Sequence, residues 1–125
     1  MTQPPARVVL VEDSDSFREM LEMVLEPVPE VTVVGSASSG DQAVALCAEL
    51  EPDVVLVDYR MPGMNGAETT RAVLRAAPRT RVICLTASIA AEEIDDLMAA
   101  GAVACITKDE ALDRLVVAVC EAAAS

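Results

Sequence analysis

Three carboxylates stand at the ends of two apolar runs: Glu12 and Asp13 directly after Val8 to Val11, and Asp58 directly after Val54 to Val57. A hydroxyl, Thr86, follows the run Val82 to Leu85, and Lys108 follows the run Ala102 to Ile106. Lys108 is the single lysine of a chain whose nine basic residues are otherwise arginine. If the three carboxylates share one crevice, they repel one another and raise each other's pKa unless a cation neutralises them. Mg²⁺ answers that need, since it takes oxygen ligands and commonly binds one or two carboxylates together with a phosphate. A carboxylate beside such an ion can attack phosphorus and form an aspartyl phosphate. The hydroxyl and the ammonium would then supply donors to the phosphoryl oxygens. Taken singly, each of these groups reads as a solvated loop acid, a turn hydroxyl or a surface charge. Their joint placement at consecutive strand ends is what carries information.

That placement depends on the elements between them. Short β-branched runs begin near Val8, Val31, Val54, Val82 and Ala102. The first, third and fourth are apolar on consecutive residues, as strands buried on both faces of a parallel sheet are. Between them lie stretches of helical period: Phe17 to Leu25, closed by Pro27; Ala43 to Leu50, opened by Ser39-Gly40-Asp41-Gln42; and Ala67 to Leu74, opened by Asn65 and Glu68. A fourth helix spans about Ala90 to Ala100 with Gly101 as its stop, and Asp109 is expected to cap the fifth, with Leu112, Leu115, Val116 and Val119 inward. Five βα units in succession predict an α/β fold, a doubly wound three-layer sandwich with parallel strand order 2-1-3-4-5. In that order strands one and three are neighbours, and ligands bind beyond the carboxyl ends of the strands at the switch point. The 125 residues make one domain, with a core from about 7 to 122.

Composition excludes several classes. Nine bases against twenty-one acids give a net charge of −12, which argues against this domain alone gripping nucleic acid or an anionic membrane surface. The absence of histidine removes His-based triads, His metal sites and phosphohistidine carriers. Phe17 and Tyr59 are the only aromatic residues, too few to stack a flavin or an oligonucleotide. Cys47, Cys84, Cys105 and Cys120 show neither C-x-x-C nor zinc spacing and read as small hydrophobes in a reducing compartment. The N-terminus lacks a signal-peptide pattern and no apolar run approaches a membrane span, so a cytoplasmic location is expected.

The chain from about Arg7 to Ala122 resembles the receiver domain of bacterial two-component response regulators, the CheY-like family with its flavodoxin-like fold. The residues that carry the resemblance are Val9-Leu10-Val11-Glu12-Asp13, the stretch from Asp58 to Gly66, Leu85-Thr86-Ala87 and Thr107-Lys108. The resemblance implies that Asp58 is the phosphoacceptor. Asp13, Asp58 and the backbone carbonyl of Arg60 would ligate Mg²⁺, with Glu12 acting through a bound water. Thr86 would move to hydrogen-bond the phosphoryl group, and Lys108 would pair with it. The donor would be a sensor histidine kinase, with signalling output through the face formed by the fourth helix, fifth strand and fifth helix. Such a domain is a signalling phosphoacceptor rather than an enzyme, although it assists its own phosphorylation and dephosphorylation. A homodimer and a C-terminal DNA-binding output domain, outside these residues, are further expectations.

Three positions depart from the common pattern or tune it. Many receivers carry an aromatic residue where this chain has Cys105, which puts the usual Thr–aromatic coupling in doubt. Lys108 is followed by Asp109 rather than proline, so a trans peptide is expected there. The segment from Gly101 to Asp109 instead resembles receivers that precede a LuxR-type helix-turn-helix domain. The Ala-rich end favours a piece of a longer chain over a stand-alone receiver. Arg60 and Ser88, each two residues beyond a site residue, are expected to modulate the lifetime of the phosphate. The rival reading is a degenerate receiver that binds partners without phosphorylation, against which the complete set Glu12, Asp13, Asp58, Thr86 and Lys108 speaks. A Mg²⁺-dependent phosphohydrolase would want a second acid where Arg60 stands, and an electron carrier would want aromatic stackers.

Overall fold

Alternation within the apolar runs builds the core. In a computed structural model, which describes residues 4–87 and 90–124, β1 (Ala6–Val11) sends Val9 and Val11 to one side of the sheet and Val8 and Leu10 to the other. β3 (Val54–Asp58) and β4 (Arg81–Thr86) divide in the same way, Val55, Val57, Val82 and Cys84 facing one layer and Val54, Leu56, Ile83 and Leu85 the other. With both faces covered, these strands need apolar side chains at every position.

β2 (Val31–Ala37) and β5 (Ala104–Thr107) flank them, and all pairings are parallel in the order β2-β1-β3-β4-β5. One layer holds α1 (Asp15–Leu25) and α5 (Ala111–Ala124), whose Leu21, Leu25, Leu115 and Val119 are buried. The other holds α2 (Gly40–Leu50), α3 (Gly66–Ala76) and α4 (Ala91–Ala100), with Ala43, Cys47, Val73 and Leu97 buried. The doubly wound three-layer sandwich expected from the sequence is thus the observed architecture.

Local differences from the sequence-based expectation have local causes. β2 runs on to Ala37, and Gly35 within it lets α2 pack close: a Cβ there would lie 3.0 Å from Leu46. β5 begins at Ala104 rather than Ala102, since Ala102 N–H closes the end of α4 by donating to Leu97 O at 3.1 Å. Gly101 permits that closure with φ +113. Asp109 does not cap α5. It lies in a 3-10 turn over Lys108–Glu110, and Thr107 Oγ1 accepts the Glu110 N–H at 3.3 Å instead. No cis peptide occurs among the described residues, in keeping with the trans bond expected after Lys108. Ser39 accepts the Gln42 N–H, but the Gln42 carbonyl oxygen takes the N–H of Ser38, so the capping box of α2 is left half formed.

Candidate functional site

The strands that meet at the switch point end in acids. Glu12 continues the Val8 and Leu10 parity of β1, Asp58 continues that of Val54 and Leu56, and both are buried, at 1% and 4% exposure. Glu12, Asp13 and Asp58 each offer a carboxylate oxygen to a cluster whose atoms all lie within 4.8 Å of one another. Lys108 reaches into it from the end of β5, its Nζ 3.0 Å from Glu12 Oε1 and 3.3 Å from Asp58 Oδ2. Three carboxylates thus face one ammonium, and the cluster keeps a surplus of negative charge.

Neighbouring elements fix each member. The Ser14 N–H donates to Glu12 Oε2 at 3.0 Å, and Ser14 Oγ in turn caps α1 by accepting from Phe17 N–H. Arg18, one turn along α1, donates to the Glu12 carbonyl at 3.2 Å and pairs with Asp15. The Phe17 ring lies beneath the ammonium of Lys108, 4.5 Å from its centroid, adding a cation–π contact. On the other side of Asp58, Tyr59 N–H donates to Leu85 O at 2.9 Å and Gly66 N–H to Tyr59 O at 2.7 Å. Asn65 and Glu68 form a complete capping box, so the start of α3 anchors the loop that follows Asp58.

The electrostatics follow from this crowding. Desolvation, reinforced by the hydrogen bond and charge of Glu12, pushes the Asp13 carboxyl above its ordinary range despite the opposing pull of Lys108. Burial alone would lower the Lys108 pKa; Glu12 and Asp58 outweigh it and hold the ammonium above its usual value. Glu12 Oε1 is buried and accepts no well-aligned hydrogen bond, although the ammonium is near. A donor set made wholly of carboxylate oxygens, with surplus negative charge that one ammonium does not cancel, fits a hard divalent cation such as Mg²⁺.

The other sequence-derived positions are placed as follows. Thr86 ends β4, buried, in register with Thr107 at the end of β5. Arg60 N–H points to Asp58 Oδ1 at 3.4 Å, while its guanidinium is tied to Glu93 of α4 at 2.8 Å. Cys105 is half-buried on β5, opposite Cys84 in the β4 register. Ser88 lies outside the described residues. Phe17, Arg18 and Glu93 were not singled out by sequence, because no spacing rule links them to their distant partners. The helical period marked the stretch Phe17 to Leu25, but not which of its residues would face Lys108.

A five-stranded parallel sheet with an acidic crevice at its switch point, reached by a lysine from the end of β5, defines the class of fold and site to be compared with known proteins. The chain matches the response regulator receiver domain model over residues 8–120 and belongs to that family. It is 34% identical over 122 residues to the nitrate/nitrite response regulator protein NarL of Escherichia coli, a match covering 98% of this chain and 56% of that protein. It is 37% identical over 113 residues to the response regulator GacA of Pseudomonas aeruginosa, covering 90% of this chain and 53% of that one. The chain therefore spans about half the length of the curated relatives it matches. Among solved structures it is similar to the signal receiver domain of NarL from Mycobacterium tuberculosis, with TM-score 0.92, 35% identity, and coverage of 98% and 99% of the two chains. A LuxR-family response regulator from Aurantimonas superposes with TM-score 0.91 at 30% identity, covering 96% of this chain and 86% of that one.

Proposed function

We propose that this receiver accepts a phosphoryl group on Asp58 from a sensor histidine kinase and signals by a shift of its α4–β5–α5 face. The observation that carries the reading is the position of Lys108 Nζ, shared between Glu12 and Asp58 within the three-carboxylate cluster. Asp58 offers a carboxylate oxygen as nucleophile: a bond forms from that oxygen to phosphorus, and the bond from phosphorus to the donor nitrogen breaks. The leaving imidazole takes up a proton from water. Lys108, already 3.3 Å from Asp58 Oδ2, pairs with the new phosphoryl oxygens, and the Thr86 hydroxyl donates to them from the adjacent strand end. Asp13, Asp58 and the Arg60 carbonyl would hold Mg²⁺, with Glu12 beside them as an outer carboxylate. When bound, Mg²⁺ neutralises charge on the carboxylates and the incoming phosphoryl oxygens.

The added dianion supplies the differential interaction that a population shift needs. Thr86 moves toward it, and α4 and β5 respond. We assign the single domain 1–125 to a longer transcriptional regulator with a C-terminal LuxR-type DNA-binding domain, active in the cytoplasm and dimerising through this face. The relatives named as response regulators and LuxR-family proteins support that assignment. Among the described residues no helix is long and apolar enough to cross a membrane. The rival of a phosphorylation-independent binding module loses support from the complete set of site residues.

Hydrogen exchange on the chain before and after treatment with acetyl phosphate and Mg²⁺ tests the switch. The expected result is a several-fold change in exchange over β4, α4 and β5 that is missing from Asp58→Ala. Identical exchange in a chain shown to be phosphorylated would overturn the signalling face.

A further inference from the structure

Cys84 and Cys105 are directly opposed in the parallel ladder between β4 and β5 and face the same layer of the core. Neighbouring strands lie about 4.8 Å apart, inside the Cα window of a disulfide. The Cys84 S–H lies 3.8 Å from the Leu85 carbonyl oxygen, and the Cys105 thiol is its neighbour across the ladder. That contact holds the Cys105 thiol down, at about 7, and pushes the Cys84 thiol up, while burial and the Glu93 carboxylate act against ionisation of both. Cys105 is also the half-buried member, so the thiol that ionises first is the one solvent can reach. Neither remaining cysteine is so placed: burial pushes Cys47 up to about 11, and Cys120 is raised as well, with no second thiol acting on either.

We infer that Cys84 and Cys105 form a reversible oxidation site, a dithiol that a hydroperoxide converts to an internal disulfide. The Cys105 thiolate attacks one oxygen of hydrogen peroxide; the O–O bond breaks, Cys105 becomes a sulfenic acid, and the departing hydroxide takes a proton to become water. The Cys84 sulfur then attacks the sulfenic sulfur, the S–S bond forms, and the hydroxyl leaves as a second water with the Cys84 proton. Two thiols are oxidised and one peroxide is reduced. Opposed Cβ atoms of a ladder sit farther apart than the roughly 3.8 Å of a relaxed disulfide, so the bond draws β4 and β5 together and is easily reduced. Such lability suits a transient, regulatory bond in a reducing compartment better than a structural one. It would form two residues before Thr86 and three before Lys108, between the two strand ends that face the acceptor.

The test is to expose the reduced chain to hydrogen peroxide, block remaining thiols with N-ethylmaleimide, and measure intact mass and peptides without reduction. Both cysteines fall in one tryptic peptide, so cleavage after Glu92 or Glu93 is needed to separate them. The expected product has lost two hydrogens, carries two blocked thiols rather than four, links the Cys84 and Cys105 peptides, and reverts with dithiothreitol. Cys84→Ser should lose the linked product completely and accumulate oxygen on Cys105, and Cys105→Ser should lose it without that gain. A wild-type chain that adds oxygen at Cys105 without forming the link, keeps four free thiols, or joins to a second chain through Cys120 would overturn the inference. Because the wild-type result decides, misfolding of a variant does not rescue it.

Discussion

Lys108 Nζ meets two carboxylates and one aromatic face, and Glu12 depends on it most, having almost no access to solvent. Asp58 is the member whose charge can be removed while that pair is kept. Asparagine at 58 relieves like-charge crowding, so in EDTA Asp58→Asn should melt no lower than wild type, and Mg²⁺ should stabilise the variant less. For wild type, Mg²⁺ at ten times its Kd should add roughly 1.4 kcal/mol. Thermal melts of both proteins with and without Mg²⁺ check this, and Asp58→Asn melting well below wild type in EDTA would show that the empty crevice is not crowded. Glu12, Asp13, Asp58 and Lys108 were legible as residues because each follows an apolar run directly or nearly so. Their neighbours Phe17 and Arg18 were not, since they approach from α1, whose sequence records only which face is apolar.

At the scale of elements, the loop from Asp58 to α3 is held by backbone contacts that leave no space for a side chain at Gly66. A Cβ there would lie 2.8 Å from Tyr59 Cα and 3.3 Å from Cys84 Sγ. Gly66→Ala should therefore cost about 1–3 kcal/mol in urea unfolding and slow phosphorylation as the backbone beside Asp58 shifts. Wild-type stability and rate in that variant would mean the loop yields easily. α4 is joined to the same loop by the Arg60–Glu93 pair at 2.8 Å. With Arg60 largely exposed, the pair adds only about 0.5 kcal/mol to stability, yet it decides where the guanidinium rests. Glu93→Gln should change the dephosphorylation rate several-fold in the same direction as Arg60→Ala, with no further change in the double variant. Full additivity in that cycle would show that the two act separately. The sequence foretold the cap at Asn65 because Glu68 completes a local motif. It misassigned Asp109 as the cap of α5: that residue lies in the preceding 3-10 turn, which the Thr107 hydroxyl caps while donating to Glu110 at 2.8 Å.

Across the whole molecule, consecutive apolar residues in β1, β3 and β4 were sufficient to indicate strands covered on both faces, and five successive βα units of ordinary crossover length then indicated a parallel sheet. The edges were harder to read. β2 contains Gly35 and exposed Thr32 and Ser36, and β5 is short, so neither has a strong apolar period. Both are nonetheless fixed by pairing with a central neighbour, a constraint invisible to local periodicity. The topology gathers groups distant in sequence at one end of the sheet, where Glu12, Asp13, Asp58 and Lys108 converge. Everything proposed for signalling depends on Asp58 being the group that is modified.

The most direct measurement is intact mass after incubation with acetyl phosphate, with and without Mg²⁺, on wild type and Asp58→Ala. One phosphoryl group is expected on wild type with Mg²⁺, and none without the metal or without Asp58. A chain left unmodified under every condition, or Asp58→Ala modified as fully as wild type, would contradict the assignment of Asp58 as acceptor.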